Sequence, residues 1–167
     1  MKYRVYLAGP DVFYPDATER GDTLKKLCEA YGFEGLFPLD NLIDVMEPTL
    51  MARAIREANL ELIRRADAVI ANLEPFRGCE PDSGTIFEVG YAAALGKRVV
   101  GYAADLRTLK ERLCEAQGLP KSACHDVGGL LIEDFGWSHN LMFAELVCAQ
   151  SAEEALSVLL REAAASR

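Results

Sequence analysis

The fold is decided by Asp67-Ala68-Val69-Ile70-Ala71-Asn72-Leu73, a short and almost uninterrupted apolar run. Its length and its lack of polar alternation predict a strand that is buried on both faces, as in parallel sheets covered by helices. A polar loop over residues 74–83 follows, and then a helical pattern from Thr85 to Leu95, with Asp82 or Ser83 as its cap. The stretch therefore predicts the central strand of a sheet, followed by a loop and a helix.

Strand and helix patterns alternate on both sides of this unit. The other predicted strands are Tyr3–Ala8, Glu34–Phe37, Arg98–Ala103 and Leu130–Ile132. The other predicted helices are Ala17–Tyr31, Pro48–Ala66, Leu106–Ala116 and a last one that starts at the capping box of residues 151–154 and continues through Leu160. This alternation predicts a single-domain, doubly wound, mostly parallel five-stranded α/β sheet with helices on both faces, flavodoxin-like or Rossmann-like. We expect the domain to cover residues 1–162, and residues 163–167 to be a frayed tail.

Composition narrows the class of partner and the compartment. The formal net charge of -8 disfavours a nucleic acid polymer, because affinity for phosphates depends largely on Lys and Arg. The sequence shows neither the pattern of a signal peptide at its N-terminus nor an apolar run long enough to span a bilayer. Its five cysteines are scattered and lack metal-site spacing. We therefore expect a cytoplasmic protein without a membrane partner.

Nucleotide-cofactor and metal motifs are missing from the sequence. Gly9-Pro10 follows the first strand without a G-x-G-x-x-G pattern, and no strand precedes a G-x-x-x-x-G-K-[ST] motif. The two histidines, His125 and His139, do not pair with a Ser or Cys in a nucleophile motif. We expect neither a metal nor an organic cofactor.

Carboxylates cluster in the loop and helix that follow the central strand. Glu74 and Glu80 lie in the polar loop, and we expect them to be solvated. Glu88 lies between Phe87 and Val89 in an apolar, alanine-rich helix, where an isolated carboxylate is costly unless it has partners. Ligands of doubly wound sheets bind at the carboxyl ends of the strands. These carboxylates should therefore border the binding crevice.

Two roles for Glu88 remain open from the pattern alone: a buried structural hydrogen bonder or a catalytic group. A phenol such as that of Tyr6, on a neighbouring strand end, would hold the carboxylate ionised. A carboxylate placed in this way suits attack on the anomeric carbon of a sugar, because the glycosyl ester divides one difficult step into two.

The sequence resembles the nucleoside 2-deoxyribosyltransferases over nearly its whole length. The matching segments are residues 6–10, Phe13, residues 38–41, Asn59, residues 66–73, residues 76–92 and residues 140–142. The loop and helix up to Tyr91 are the most specific part of the match. The resemblance implies an enzyme that transfers deoxyribose between nucleobases.

The resemblance also implies roles for individual residues. Glu88 is expected to be the nucleophile, Tyr6 to orient it, and Asp82 to hold a hydroxyl group of the deoxyribose. Phe13 is expected to pack against the base, and Asn140 to complete the sugar pocket of a neighbouring subunit. The implied substrate-binding set is completed by Gly9, Asn59 and Met142.

Local structure offers alternatives for three of these residues. Phe13 would equally fit a packed core. Asp82 would serve as a plain helix cap, although one residue can do both. Asn140 would also fit a helix cap near Ser138 and His139.

The sequence departs from the family pattern at two positions. Asn59 stands where several members carry an aspartate that protonates the leaving base, and an amide cannot supply a proton as a general acid. Water or a neighbouring carboxylate would then assist departure of the base. Leu42 replaces a polar residue that contacts the base in some members, so that base preference does not carry over.

We therefore expect a pentosyltransferase of nucleotide salvage that forms a covalent deoxyribosyl-enzyme on Glu88, with slow hydrolysis to free base as a side reaction. Its partners would be deoxynucleosides and free nucleobases, and Asn140 implies a homodimer or higher homo-oligomer. One alternative is a 2′-deoxynucleoside 5′-monophosphate N-glycosidase, with Arg77 or Ser138 holding the phosphate. A second alternative is a non-catalytic nucleotide-sensing module.

Overall fold

The computed structural model of the protein describes residues 2–165. Its strands are β1 Tyr3–Ala8, β2 Phe33–Leu36, β3 Ala68–Asn72, β4 Arg98–Tyr102 and β5 Val147–Ala149. Its helices are α1 Ala17–Ala30, α2 Pro48–Arg65, α3 Ser83–Ala94, α4 Leu109–Ala116 and α5 Ala152–Ala165. Short 3-10 turns cover Pro10–Phe13, Pro38–Asp40 and Ala144–Leu146.

The five strands form one sheet in the order β2-β1-β3-β4-β5, and every neighbouring pair is parallel. This order is the flavodoxin-like one, and its direction of winding reverses between β1 and β3. The predicted fold class is therefore confirmed, with a sheet that is entirely rather than mostly parallel. The reversal places a crevice at the carboxyl ends of β1 and β3.

Each face of the sheet contributes to its own buried core. Alternate residues of β1 point to opposite faces, since successive side chains of a strand do so. Val5 and Leu7 pack in one core with residues of α1 and α5. Tyr6 and Ala8 pack in the other core with residues of α2 and α3. This alternation directs Tyr6 towards the helix that carries Glu88.

The fifth strand lies elsewhere than the sequence predicts. Leu130–Ile132 is not a strand of the sheet, and this prediction is wrong. Leu131 makes only an isolated antiparallel bridge with His125, and its side chain is 77% exposed. Val147–Ala149 is the fifth strand instead and pairs with β4. Three residues are too few to show a pattern of alternation, which is why the sequence conceals this strand.

The helix boundaries differ from the predicted ones mainly at two ends. Helix α4 begins after Thr108 rather than at Leu106, because the Thr108 hydroxyl accepts a hydrogen bond from the backbone N–H of Glu111. Helix α5 continues past Leu160 to Ala165. Residues 163–165 of the predicted tail are thus helical, whereas residues 166–167 lie outside the described residues. Within residues 2–165, no helix combines the length and the apolarity needed to cross a membrane.

Candidate active site

The crevice begins where β1 and β3 end side by side. Gly9 follows β1, and a Cβ atom at this position would lie 2.7 Å from Cβ of Asn72, the last residue of β3. Real Cβ atoms do not approach so closely, so any larger residue would force the two strand ends apart. Gly9 therefore permits the close approach of the two segments that border the crevice.

Glu88 lies at this edge of the sheet, on α3, and Tyr6 approaches it from β1. The fully buried Tyr6 donates a hydrogen bond from its hydroxyl to Oε1 of Glu88 over 2.7 Å. Asn59 of α2 donates to the same oxygen from Nδ2 over 3.4 Å, a long contact. Donors from two separate elements, β1 and α2, thus converge on one carboxylate oxygen of α3.

The pKa of Glu88 is raised from 4.5 to about 7. Burial is the largest cause and the charge of Asp82 adds to it, while the hydrogen bonds from Tyr6 and Asn59 lower the pKa. The pKa of Tyr6 is also raised, first by burial and then by the charge and hydrogen bond of Glu88. Tyr6 consequently keeps its proton and remains a donor when Glu88 ionises. The pair can hold a reactive carboxylate near neutral pH.

Asp82 caps the N-terminus of α3. Its Oδ2 accepts hydrogen bonds from the backbone N–H of Thr85 over 2.8 Å and from the Thr85 hydroxyl over 3.0 Å. The predicted cap is therefore confirmed, and within residues 2–165 the other carboxylate oxygen of Asp82 receives no hydrogen bond. Capping leaves that oxygen available for a ligand.

A mostly apolar cavity of about 250 Å³ adjoins Asn59. Its lining residues are Val12, Pro38, Leu39, Asn41, Ile43, Met51, Ile55 and Asn59. The Oδ1 atom of Asn59 is buried and has no hydrogen-bond partner among the described residues. Leu42, in contrast, is fully exposed and does not line the cavity. A flat, largely apolar ligand group would fit this space.

Phe13 lies beside the crevice and outside the core, since 55% of its surface is exposed. Its ring stacks on Phe76 with a centroid distance of 5.2 Å and an interplanar angle of 23°. The guanidinium of Arg77 lies 4.7 Å from the Phe76 centroid and 5.5 Å from the Phe13 centroid. Core packing therefore does not account for Phe13.

Asn140 and Met142 do not join this group within one chain. Asn140 donates from Nδ2 to Oε1 of Glu133 over 2.6 Å, and its Oδ1 accepts from the backbone N–H of Met142 over 3.0 Å. Within residues 2–165 neither residue is hydrogen-bonded to Glu88 or Asp82, and 81% of Met142 is exposed. Their predicted role in a neighbouring subunit stays a prediction.

A polar network at the same edge escaped the sequence analysis. Asp11 is buried, and it accepts hydrogen bonds from Nδ2 of Asn72 over 2.9 Å and from the Arg20 guanidinium over 3.1 Å. It ties the turn after β1 to the end of β3. Both Asp11 and Asn72 lie at carboxyl ends of predicted strands, and this position could have indicated that they border the crevice.

The two remaining loop carboxylates and His139 differ in their exposure and in their hydrogen bonds. Glu80 is exposed, as predicted, but Glu74 is partly buried and accepts a hydrogen bond from the backbone N–H of Ala104 over 2.7 Å. His139 is buried, with Nε2 3.1 Å from the backbone oxygen of Leu73. Burial lowers its pKa. Glu74 is thus not simply solvated, and His139 is a buried, hydrogen-bonded histidine.

The family described as nucleoside 2-deoxyribosyltransferase matches residues 5–142 of the chain. A 2-desoxiribosyltransferase from Leishmania mexicana has a similar structure, with a TM-score of 0.78, 35% identity and coverage of 95% of this chain and 97% of the other. An uncharacterized protein from Schizosaccharomyces pombe is 35% identical over 155 residues, which are 83% of this chain and 74% of that protein.

Two more distant structures share the fold. A 2-deoxyribosyltransferase from Bacillus psychrosaccharolyticus is 20% identical, with a TM-score of 0.50 and coverage of 89% of this chain and 98% of the other. A conserved protein from Enterococcus faecalis V583 is also 20% identical, with a TM-score of 0.61 and coverage of 97% and 99%. At this identity the likeness concerns the fold alone.

Proposed function

Since the chain belongs to the nucleoside 2-deoxyribosyltransferase family, we propose that it transfers the deoxyribosyl group of a 2′-deoxynucleoside from one nucleobase to another through a covalent intermediate on Glu88. The observation that carries this proposal is the asymmetric environment of the Glu88 carboxylate. Tyr6 and Asn59 both donate to Oε1, whereas Oε2 receives no hydrogen bond within residues 2–165. Oε2 is therefore the oxygen that attacks.

In the first half-reaction, ionised Glu88 attacks C1′ of the deoxynucleoside. The bond between Oε2 and C1′ forms while the bond between C1′ and the base nitrogen breaks, and the electron pair of that bond leaves with the base. In the second half-reaction, the nitrogen of another base attacks C1′, the ester bond breaks to return the carboxylate, and the proton on the attacking nitrogen passes to water or to a neighbouring carboxylate. Water in place of the second base gives slow hydrolysis. The fixed carboxylate supplies orientation as well as nucleophilicity.

Departure of the base requires a proton that Asn59 cannot supply. In this proposal the proton comes from water or from a neighbouring carboxylate, and Asn59 holds Glu88 through its amide N–H. The cavity of about 250 Å³ beside Asn59 receives the base. Its apolar lining suits the planar faces of a nucleobase.

The sugar lies between Glu88 and Asp82. The oxygen of Asp82 that does not cap α3 accepts a hydrogen bond from a deoxyribose hydroxyl. Selectivity for the 2′-deoxy sugar follows from the tight surroundings of Glu88 and Tyr6, where an added hydroxyl would clash or remain unpaired. The Asp82 carboxylate also disfavours a 5′-monophosphate as substrate, because the two negative charges would repel.

Asn140 completes the site of a neighbouring subunit in this proposal, so the active unit is a homodimer or a higher homo-oligomer. Glu133 already fixes the orientation of the Asn140 amide within its own chain. The exposed Leu141 and Met142 beside it would be covered at such an interface. A single subunit would then be catalytically incomplete.

We also propose a cytoplasmic enzyme of nucleotide salvage, with residues 1–162 as its catalytic domain. All five cysteines are free thiols, a state that a reducing compartment preserves. Transfer between bases would let the cell reuse deoxyribose that is already joined to a base.

A base-exchange assay tests the function. The protein is incubated with deoxyinosine or thymidine plus adenine, and new deoxyadenosine is measured. Glu88→Ala should abolish both exchange and hydrolysis, whereas Glu61→Gln, which neutralises a surface carboxylate of α2, should retain wild-type rates. Retention of even a tenth of the exchange rate in Glu88→Ala would contradict the assignment of Glu88 as the nucleophile.

The same assay separates the two alternatives. A 2′-deoxynucleoside 5′-monophosphate N-glycosidase would release free base from the monophosphate alone and form no new nucleoside. A non-catalytic sensing module would be stabilised thermally by a deoxynucleoside without turning it over, and it would tolerate Glu88→Gln. Exchange without monophosphate cleavage supports the transferase.

A further inference from the structure

Arg77 has an unusual backbone conformation at the edge of the crevice. Its φ angle is +53°, and among residues 2–165 it is the sole residue other than glycine with positive φ. This left-handed conformation is unfavourable for a long side chain and persists only where surrounding structure imposes it. The loop after β3 therefore holds Arg77 in a conformation that most residues would avoid.

The side chain of Arg77 interacts with aromatic rings rather than with an acid. Its guanidinium carbon lies 4.7 Å from the centroid of Phe76 and 5.5 Å from that of Phe13. Within residues 2–165 its guanidinium makes no ion pair, although the protein is strongly acidic. Both distances suit a cation–π contact. The three side chains form one group, here called the Arg77 stack.

The Arg77 stack joins two segments that meet at the reversal of the sheet. Phe13 comes from the turn after β1, whereas Phe76 and Arg77 come from the loop after β3. Val12, next to Phe13, lines the cavity beside Asn59. More than half of the Phe13 surface remains exposed despite its contacts with Phe76 and Arg77. The open part of this ring is available to a ligand at the mouth of the cavity.

We propose that Arg77 is a positioning residue for the nucleobase, which it holds indirectly by fixing the ring of Phe13 against Phe76. This inference rests on the proposed function together with the expectation that the base packs against Phe13 at the mouth of the cavity. The left-handed backbone directs the guanidinium over both rings. The effect is larger for purines than for pyrimidines, because a purine shares more ring area with Phe13.

The experiment measures KM and kcat for adenine and cytosine as acceptor bases in three variants. Arg77→Gly should raise KM for adenine by about three- to fivefold, the loss expected for an exposed cation–π contact, with little change in kcat. The rise for cytosine should be smaller. Arg77→Lys, which keeps the cation, should restore much of the affinity. Arg64→Ala is the control. It removes a cation–π contact with Tyr91 at the C-terminal end of α2, and it should leave KM unchanged.

Thermal unfolding separates positioning from folding. Glycine accepts positive φ, so Arg77→Gly should unfold at the same or a slightly higher temperature than the wild type while it binds the base more weakly. In a Phe13→Leu background, Arg77→Gly should have no further effect on KM, because Arg77 acts through that ring.

Unchanged KM for both bases in Arg77→Gly would overturn the inference, as would a full additional effect in the Phe13→Leu background. A wild-type protein without any exchange would instead refute the proposed function and, with it, this inference. The two failures differ because the second appears in the wild type before any substitution.

Discussion

Tyr6 and Glu88 are 82 positions apart in the chain, yet the Tyr6 hydroxyl lies 2.7 Å from Oε1 of Glu88. The strand alternation of β1 directs Tyr6 to the face covered by α3, and the hydrogen bond lies between a fully buried Tyr6 and a partly buried Glu88. The bond favours the ionised carboxylate, whereas burial favours the protonated one, and burial prevails. This balance determines how the site should respond to pH and to substitution.

The first prediction concerns the pH dependence of exchange. The nucleophile must be ionised, so kcat/KM should fall about tenfold per pH unit below the Glu88 pKa of about 7 and level off above it. Tyr6→Phe removes a hydrogen bond that lowers this pKa, so the midpoint should move upward by about one unit. Tyr31→Phe, on the opposite face, should leave the profile unchanged. An unshifted midpoint in Tyr6→Phe would contradict the assignment.

The second prediction concerns stability. Because the pKa of Glu88 is raised from 4.5 to about 7 on folding, the native state binds its proton more tightly, and stability should fall as pH rises through this interval. Glu88→Gln removes the ionisation and should stabilise the protein at pH 8 by on the order of 2–3 kcal/mol. Urea unfolding at pH 8 and pH 4 measures this gain, which should nearly vanish at the lower pH. An equal effect at both values would count against the raised pKa.

The third prediction concerns the proton for the leaving base. Asn59→Asp places an ionisable group beside Glu88, so it should add a basic limb to the pH profile of kcat, where the new acid loses its proton. Near the optimum, kcat should rise on the order of tenfold. Asn59→Ala should show no basic limb. The measurement is the pH profile of kcat for deoxyadenosine, and a profile of Asn59→Asp without an added basic limb would contradict this explanation.

The fourth prediction concerns the two strand ends. Gly9→Ala places a methyl group against Asn72, and it should destabilise the protein by about 1–3 kcal/mol. Gly90→Ala in α3 is the matched control, because its Cβ would meet nothing within 4 Å. That change should stabilise the helix by about 0.5–1 kcal/mol. Urea unfolding measures the stability of the two variants. Equal effects would show that the close approach of Gly9 to Asn72 does not require glycine.

The fifth prediction concerns Asn140. Glu88→Ala and Asn140→Ala subunits should each be inactive alone and regain activity after mixing and subunit exchange. In a dimer, about a quarter of the sites would then combine an intact Glu88 with an intact Asn140 from the other subunit. The exchange assay before and after mixing measures this recovery. Absence of recovery, when size-exclusion and labelling experiments show mixed dimers, would place Asn140 outside the neighbouring site.

Local patterns predicted most elements of the fold. The apolar run of β3 and the helical spacing of α2 identified both elements to within one or two residues, and the cap of α3 at Asp82 was predicted from residue type. The prediction failed at β5, whose three residues include the exposed Cys148. These residues form a strand because they pair with β4, and such pairing between distant segments cannot be predicted from a local sequence pattern.

The candidate site was predictable in part. Glu88 was noticeable as a carboxylate in an apolar helix, and the rule for parallel sheets directed attention to the strand ends. The buried Asp11 and the stack of Arg77 on two aromatic rings were not predicted, because each depends on contacts between segments far apart in the sequence.

The sequence by itself determined the α/β fold class, the family and the edge of the sheet at which the crevice lies, because apolar periodicity and motif spacing are local properties of the chain. Only the tertiary structure decided which oxygen of Glu88 is held, how far its surroundings raise its pKa, and which rings Arg77 covers. Hydrogen bonds and desolvation act over a few ångströms of space, and the path of the chain between two residues does not reveal their distance.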